Sequence, residues 1–255
     1  MPNAMTTGMQ TAVTTVFRTA IAGMSAFASN IKDVIRSAVA AQVETIGFGE
    51  GVVLDAGGGV RRARAGVATI TLSGPLVTAN VFAANIVVNG VLTALTATTF
   101  ATDSATTLAA IAAKIAAISG IASAVVAGNT IVVTGNANTD IRVTGAVVTA
   151  GASQATVTVP YTSSDVFKGI AVRDPMRENN LGFVRYDEVG YAERTMGFWV
   201  PISENVSAGD TALLDLASAT LGQFKKTAGS TLATGGKFLN AGTSGGLAIL
   251  VLNLP

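Results

Sequence analysis

Ala84-Asn-Ile-Val-Val-Asn-Gly-Val-Leu-Thr-Ala-Leu95, followed by Asp103-Ser-Ala-Thr-Thr-Leu-Ala-Ala-Ile-Ala-Ala-Lys-Ile-Ala-Ala-Ile-Ser-Gly120, carries the two periods that decide the fold. In the first stretch apolar and small polar residues alternate on either side of Asn89-Gly90. That dipeptide favours a two-residue hairpin turn, so the reading is strand, turn, strand. In the second, Asp103 offers a side-chain oxygen as N-cap for a helix through about Ile118. Leu108, Ile111, Ile115 and Ile118 recur at spacings of three and four and form one apolar stripe. Gly120 closes the helix. The outward alanines, Ala109, Ala112, Ala113 and Ala116, either lie bare in solvent or permit close approach of another backbone.

Working outward, Val125-Val126, a turn at Gly128-Asn129 and Ile131-Val-Val133 read as a second hairpin, with further strands at Ile141 to Val148 and Ala155 to Val159. One helix on a small, largely antiparallel sheet is an α+β layer pair. This region differs in charge from its flanks. Between Gly66 and Pro160 the only charged residues are Asp103, Lys114, Asp140 and Arg142. We therefore expect an inserted α+β domain, residues 67–160, in a host domain made of both chain ends, residues 31–66 plus 161–255. Residues 1–30 carry a single charge, Arg18, and no clean period, and are expected to be an N-terminal arm.

The flanks predict a mainly β host. Asn30 to Ala41 reads as a short helix, with Ile31, Val34, Ile35 and Ala38 on one face. Gly47 to Leu54 and Val60 to Ala65 flank a turn at residues 55–59 and predict a hairpin. Phe167 to Arg173, Tyr191 to Val200, Thr211 to Leu216, Gly222 to Thr227 and Leu247 to Leu254 are further strands, separated by Gly-, Asn- and Asp-rich turns. That spacing suits a β-sandwich or barrel-like host.

Composition narrows the chemistry. The chain has 255 residues with no cysteine and no histidine, so disulfides, thiolate or imidazole zinc sites and Ser-His or Cys-His nucleophile pairs are excluded. A formal net charge of +1 gives no basic excess for a phosphate backbone, so no nucleic-acid partner is expected. Charged residues are 12% of the chain, about half the usual share. That suits a protein packed against neighbours, and equally a merely Ala/Thr/Gly-rich soluble one. Leu108 to Ile118 and Ile121 to Val133 are broken by Lys114, Ser119, Gly120 and Asn129 well short of a membrane span, and no secretory signal is expected.

Each candidate site has a simpler reading. Ile46-Gly-Phe-Gly-Glu-Gly51 is glycine-rich but lacks the dinucleotide pattern, and a strand entry explains it better than a phosphate cradle. Arg61, Arg62 and Arg64 form the one dense basic cluster. On a strand Arg61 and Arg62 point to opposite faces and Arg64 shares a face with Arg62; a solvated strand edge, or salt links to an acidic neighbouring subunit, accounts for them. Asp187, Glu188 and Glu193 lie near Tyr186, Tyr191 and Trp199 and could suggest a carboxylate pair for glycoside hydrolysis. Ordinary surface charges are the plainer reading. The loop Gly135-Asn-Ala-Asn-Thr-Asp140 has one carboxylate, too few for calcium, and reads as a β-turn. We expect no catalytic, cofactor-binding or metal-ligating residue, no cofactor and no enzymatic activity.

Two stretches carry a more specific signal. Ala22-Gly-Met-Ser-Ala-Phe-Ala-Ser-Asn-Ile-Lys-Asp-Val-Ile-Arg36, followed by Ile46-Gly-Phe-Gly-Glu-Gly-Val-Val53, resembles the start of the phage structural cement protein family. The second half is similar in turn: Phe167-Lys-Gly-Ile-Ala-Val172, Met176-Arg-Glu-Asn179, Tyr191, Phe198-Trp-Val-Pro201, Gly209-Asp210, Gly235-Gly-Lys-Phe-Leu239 and Gly245-Gly-Leu-Ala-Ile249. The likeness covers most of residues 20–66 and 161–254. Residues 70–160 are similar instead to a small domain recurring in phage virion proteins, through Val88-Asn-Gly90, Asp103-Ser-Ala-Thr-Thr107 and a Thr-Val-Thr-Gly-like signature. The resemblance implies a virion structural protein on the outer surface of a tailed-phage capsid, made in the host cytoplasm. There it would bind the major capsid protein as a symmetric homo-oligomer, dimer or trimer, and bridge capsomers. The alternative is a head-fibre or receptor-binding adhesin whose inserted domain binds host-surface glycan.

Overall fold

In the computed structural model, residues 22–26, 34–41, 45–151, 153–173, 182–217 and 220–253 are described. They form eighteen strands and one helix, and every pairing between named strands is antiparallel. The protein is mainly β. No helix among the described residues is long and apolar enough to cross a membrane.

Both flanks contribute to one nine-stranded sheet. Its strands are β1 (Val34–Val39), β2 (Gly51–Leu54), β3 (Val60–Arg61), β13 (Phe167–Ala171), β14 (Glu188–Pro201), β15 (Thr211–Asp215), β16 (Phe224–Lys225), β17 (Thr231–Phe238) and β18 (Leu247–Asn253). They run in the order β16-β15-β17-β18-β14-β13-β2-β3, with β1 paired to β14. The axis is β14, fourteen residues long and mostly alternating between buried and solvent-facing positions. Phe198, Val200, Leu250 and Leu252 bury fully or nearly so on its inner side and that of β18.

Residues 67–162 build two smaller sheets. One joins β10 (Ile141–Thr149), β5 (Val81–Val88) and β6 (Val91–Ala94), with β7 (Thr98–Thr99) on β5. The other joins β11 (Val157–Thr158), β4 (Val67–Leu72), β9 (Thr130–Gly135) and β8 (Ile121–Ala127), with β12 (Tyr161–Thr162) on β4. The helix α1 (Ser104–Ala116) packs mainly on β8, with further contacts to β7 and β9. Asp103 is its N-cap, the carboxylate accepting from Thr106 N at 2.7 Å as the local sequence requires. Leu108, Ile111 and Ile115 drive the helix onto the sheets. One continuous hydrophobic cluster runs from these residues to Phe198, Phe224 and Phe238 in the nine-stranded sheet. A second, smaller cluster gathers Ile46, Phe48, Val60, Phe183 and Tyr191, with Phe48 and Phe183 edge to face at 5.3 Å.

Several expectations need correction. Val34 to Val39 is a strand, not part of a helix, its backbone bonds supplied by Glu188 to Arg194 of β14. Its β-branched Val34, Ile35 and Val39 suit that pleat better than a helix. Residues 30–33 lie outside the described residues. The single small sheet expected beside the helix is two sheets, because β4, unforeseen in the sequence, draws β8, β9, β11 and β12 away from β5. Ala112, expected outward, is buried, since it stands next to Ile111 on the helix flank that turns inward. β17, with Gly235-Gly236 in its middle, was also unforeseen. Within the expected arm, residues 22–26 are described and run along β14: Gly23 N donates to Trp199 O at 2.7 Å, and Trp199 N to Met24 O at 2.9 Å.

Candidate interaction site

Charge concentrates where the chain leaves the nine-stranded sheet for the smaller sheets and where it returns. Arg61 ends β3, and its side chain is 5% exposed. Its Nη1 and Nη2 donate to the two carboxylate oxygens of Asp165 at 2.8 and 2.7 Å, a bidentate pair across the outgoing and returning segments. Its Nε donates to Asp55 at 3.0 Å. Asp165 also accepts from Arg64 N at 2.7 Å, and Arg64 Nη2 stands 3.3 Å from Asp55. Burial acts to raise the Asp165 carboxyl. The Arg61 and Arg64 hydrogen bonds and the Arg61 charge together outweigh it and hold the group below its ordinary value. For Arg64, burial and then repulsion from Arg61 lower its proton affinity.

Arg62 takes the other side, giving two hydrogen bonds to Glu50 at 2.7 and 2.5 Å. The expectation that Arg64 would share a face with Arg62 is therefore wrong. β3 ends at Arg61, so two-residue alternation does not carry on to position 64, and Arg64 joins Arg61 instead. The cluster is neither a solvated edge nor free for an acidic neighbour, because carboxylates of the same chain hold it. Next to it, Asp140 accepts from Ala65 N at 2.6 Å and pairs with Arg142 at 2.9 Å. Arg142 reaches the Leu216 carbonyl and lies 5.2 Å over the Tyr161 ring, whose hydroxyl donates to Val143 O. Asp140 is thus structural, and the loop before it forms the expected turn at Ala137-Asn138. Between loop and junction lies a cleft of about 370 Å³, bordered by Arg64, Asn136, Asn138, Ser163 and Asp165.

The three glycine N–H groups of the glycine-rich stretch are all used within the chain and do not cradle a phosphate. Gly47 N donates to the Glu50 carboxylate, Gly49 N to Ala171 O and Gly51 N to Gly222 O. At Gly49, with φ +78°, an added Cβ would lie 2.7 Å from Gly23 N and 2.9 Å from Trp199 O. Two backbones cross there, and that crossing is why glycine is required.

The three carboxylates do not form a catalytic pair. Glu188 is exposed and Glu193 buried on the same strand, about 16 Å apart at ~3.3 Å per residue. Glycosidase pairs stand about 5 to 9.5 Å apart. Glu193, read as a surface charge, is 11% exposed and holds Lys168 Nζ at 2.7 Å together with Arg36 Nε. The register slips here, Arg194 pairing with Val34 and Ala192 with Ile35, which leaves Glu193 as the extra residue; its carboxylate is covered by the partly exposed side chains of Arg36 and Lys168. Asp187 accepts from Val184 N at 2.6 Å and closes the turn before β14. Tyr186 is 75% exposed with Arg185 stacked on it, Tyr191 is buried in the second cluster, and Trp199 pairs with Ile249.

The sequence reading missed Glu50, Asp55 and Asp165 as partners of the arginines, since nothing local marks a contact between residues 61 and 165. It also missed the exposed apolar residues Val91, Leu92, Val125 and Val166, which leave uncharged contact surface on strand edges and loops. The arginine–carboxylate pairs join the outgoing and returning segments, and no reaction centre is assembled among the described residues. Met176–Asn179, part of the resemblance, lies outside them.

Comparison with known proteins agrees with this. No curated protein matches the chain. The profile of the phage cement family, described as "Structural cement protein (E217 gp24/Pam3 gp6)", matches residues 109–253, more than half of the chain. The match begins inside α1 and takes in β8 to β12, which the resemblance read from the sequence had left outside. A mainly β chain, matched from the helix to its last described strand, belongs to the phage structural cement protein family, whose members are structural proteins of the capsid.

Proposed function

We propose that the protein sits on the outer surface of a tailed-phage head and bridges neighbouring capsomers of the major capsid protein. It does so as a symmetric homo-oligomer and transforms no substrate. Membership of the cement family carries this reading. A head under pressure from packaged DNA is strengthened by any subunit that must be peeled off before capsomers part. Many weak contacts, repeated by symmetry, supply that resistance. Residues 67–160 act as a domain inserted in the capsid-binding host formed by residues 31–66 and 161–255. Support for the division comes from sheet membership: residues 67–162 build two sheets, and the flanks build the third.

The adhesin reading has less support. Sugar rings are commonly gripped by exposed aromatic faces, and within residues 67–162 Phe82 and Tyr161 are buried and Phe100 is half-buried. Heads assembled without the protein separate the two roles. Cement predicts heads that lose DNA on mild heating or osmotic shock and regain stability when purified protein is added back. An adhesin predicts heads of unchanged stability that fail to attach to cells, and that outcome would reject the bridging role.

A further inference from the structure

We propose that β6 is the contact through which two copies of this chain pair, edge to edge and antiparallel, about a two-fold axis at Thr93. This rests on the oligomer of the proposed function and names its interface. The β5–β6 hairpin turns through Asn89 and Gly90 with φ of +50° and +82°, a two-residue turn, and Val88 is opposite Val91. In such a hairpin the residues flanking the turn exchange both backbone hydrogen bonds, and every second residue repeats this. Val91 and Thr93 therefore face β5, and so does Leu95, whose N–H donates to Ala84 O. The backbone groups of Leu92 and Ala94 point the other way, off the sheet.

Apart from being only four residues long, this edge carries none of the sequence devices that blunt a natural edge. Val91 to Ala94 contain no lysine, proline or bulge, and Val91 and Leu92 are 69% and 60% exposed. These two side chains lie on opposite faces of the strand, so a partner docking on one face would cover only one of them. Adding a strand at the edge shields both.

The occupant is a second copy because the edge is complementary to itself. With Thr93 on the axis, Leu92 of each copy stands opposite Ala94 of the other, and all the outward donors and acceptors of both residues pair. An isologous contact brings identical groups together, so a fixed charge there would repel its own image. The four charges between Gly66 and Pro160 are all engaged within the chain. Asp103 caps α1, Asp140 and Arg142 pair, and Lys114 Nζ donates to Thr98 Oγ1 at 2.8 Å and Thr96 O at 3.2 Å, just past the free edge.

The chain has no cysteine, so a single introduced thiol reads the contact directly. Across the axis the two Thr93 residues form a non-hydrogen-bonded pair, Cα atoms about 4.5 Å apart, within disulfide reach. Purified Thr93→Cys should form a disulfide-linked dimer on mild oxidation, while Thr78→Cys, in an exposed loop, should not. Leu92→Pro removes only an outward N–H and leaves the hairpin its own bonds. It should sediment as a monomer with the circular dichroism of the wild type, which should sediment as a larger species. The proposal is overturned if Thr93→Cys cross-links no faster than Thr78→Cys, whether the wild type is then monomeric or associates by another face. A cross-link from Thr93→Cys to a capsid protein, with none between copies, also overturns it. Because these measurements need no capsid, their failure leaves the head-stability test untouched.

Discussion

Replacing Asp165 by Asn tests whether the junction is held by its charges. The Asp165 carboxylate accepts three hydrogen bonds, two from the Arg61 guanidinium and one from Arg64 N, at 2.7 to 2.8 Å. The side chains of Arg61 and Asp165 are 5% and 13% exposed, so water cannot readily replace what is lost. Asparagine keeps the shape and one acceptor oxygen. Its amide hydrogens would face the guanidinium, and Arg61 would be left with Asp55 as its remaining carboxylate. Breaking a buried pair by neutralising one partner costs about 3–5 kcal/mol. The surviving Asp55 contact and the retained oxygen put the expectation at the lower end, ~3 kcal/mol. A chain of 255 residues unfolds with an entropy near 0.5 kcal/mol/K, so the melting temperature should fall by about 6 °C if it unfolds as one unit. Differential scanning calorimetry at neutral pH measures this, with exposed Glu188→Gln as a control expected to stay within about 0.5 kcal/mol of wild type. A shift for Asp165→Asn no larger than the control's would mean that the junction is held by packing and that its charges are incidental.

The same carboxylates set the pH dependence. Asp55 and Asp165 are held below the ordinary carboxylate value of 3.8 in the folded chain. Their contribution is therefore complete above that value and disappears as pH falls through the lower folded values. Thermal stability should be flat from pH 7 to about 5 and drop below about pH 4, with a shallower drop in Asp165→Asn. Asp103→Ala removes the N-cap of α1 and should cost about 1 kcal/mol in urea unfolding followed by circular dichroism; no change would mean that the helix start is fixed by packing alone. Gly169→Ala would place a Cβ 2.4 Å from the Ala192 carbonyl oxygen, where β13 and β14 approach. It should cost about 1–3 kcal/mol, whereas Gly66→Ala, with open space around it, should be nearly neutral in the same assay.

What could be read from the sequence follows from how local each signal is. The β5–β6 hairpin, the β8–β9 hairpin and α1 were legible because Asn89-Gly90, Gly128-Asn129 and Asp103 act on their own neighbours. β1 was misread because Ile31, Val34, Ile35 and Ala38 match a helical period, while the deciding partner, β14, lies far along the chain. β17 escaped notice because Gly235-Gly236 reads as a break. In the fold a Cβ on Gly236 would sit 2.8 Å from Leu250 and Leu252 side-chain atoms, so the glycine permits close packing inside a strand. The cover over Glu193 comes from Arg36 on β1 and Lys168 on β13, neighbours that only the sheet order brings together. The arginine cluster was visible as a cluster. Its meaning was not, since the closing residue Asp165 is separated from Arg61 by the whole central segment.

The placement of charge ties the junction to the proposed role. A chain with so few charged residues has set Arg61, Arg62, Arg64 and Arg142 beside Glu50, Asp55, Asp140 and Asp165, where the outgoing and returning strands run together. A flexible tether would need none of these contacts, and glycine and serine would serve it better. Bidentate arginine pairs restrict orientation as well as distance, so they resist rotation of one segment against the other. The core adds to this, since one apolar cluster passes from α1 into the nine-stranded sheet. In the proposed role, these contacts would carry a load on residues 67–160 into the nine-stranded sheet instead of leaving it to a hinge. A bridge between capsomers requires that property, and an adhesin searching for a receptor on a mobile stalk would be hindered by it.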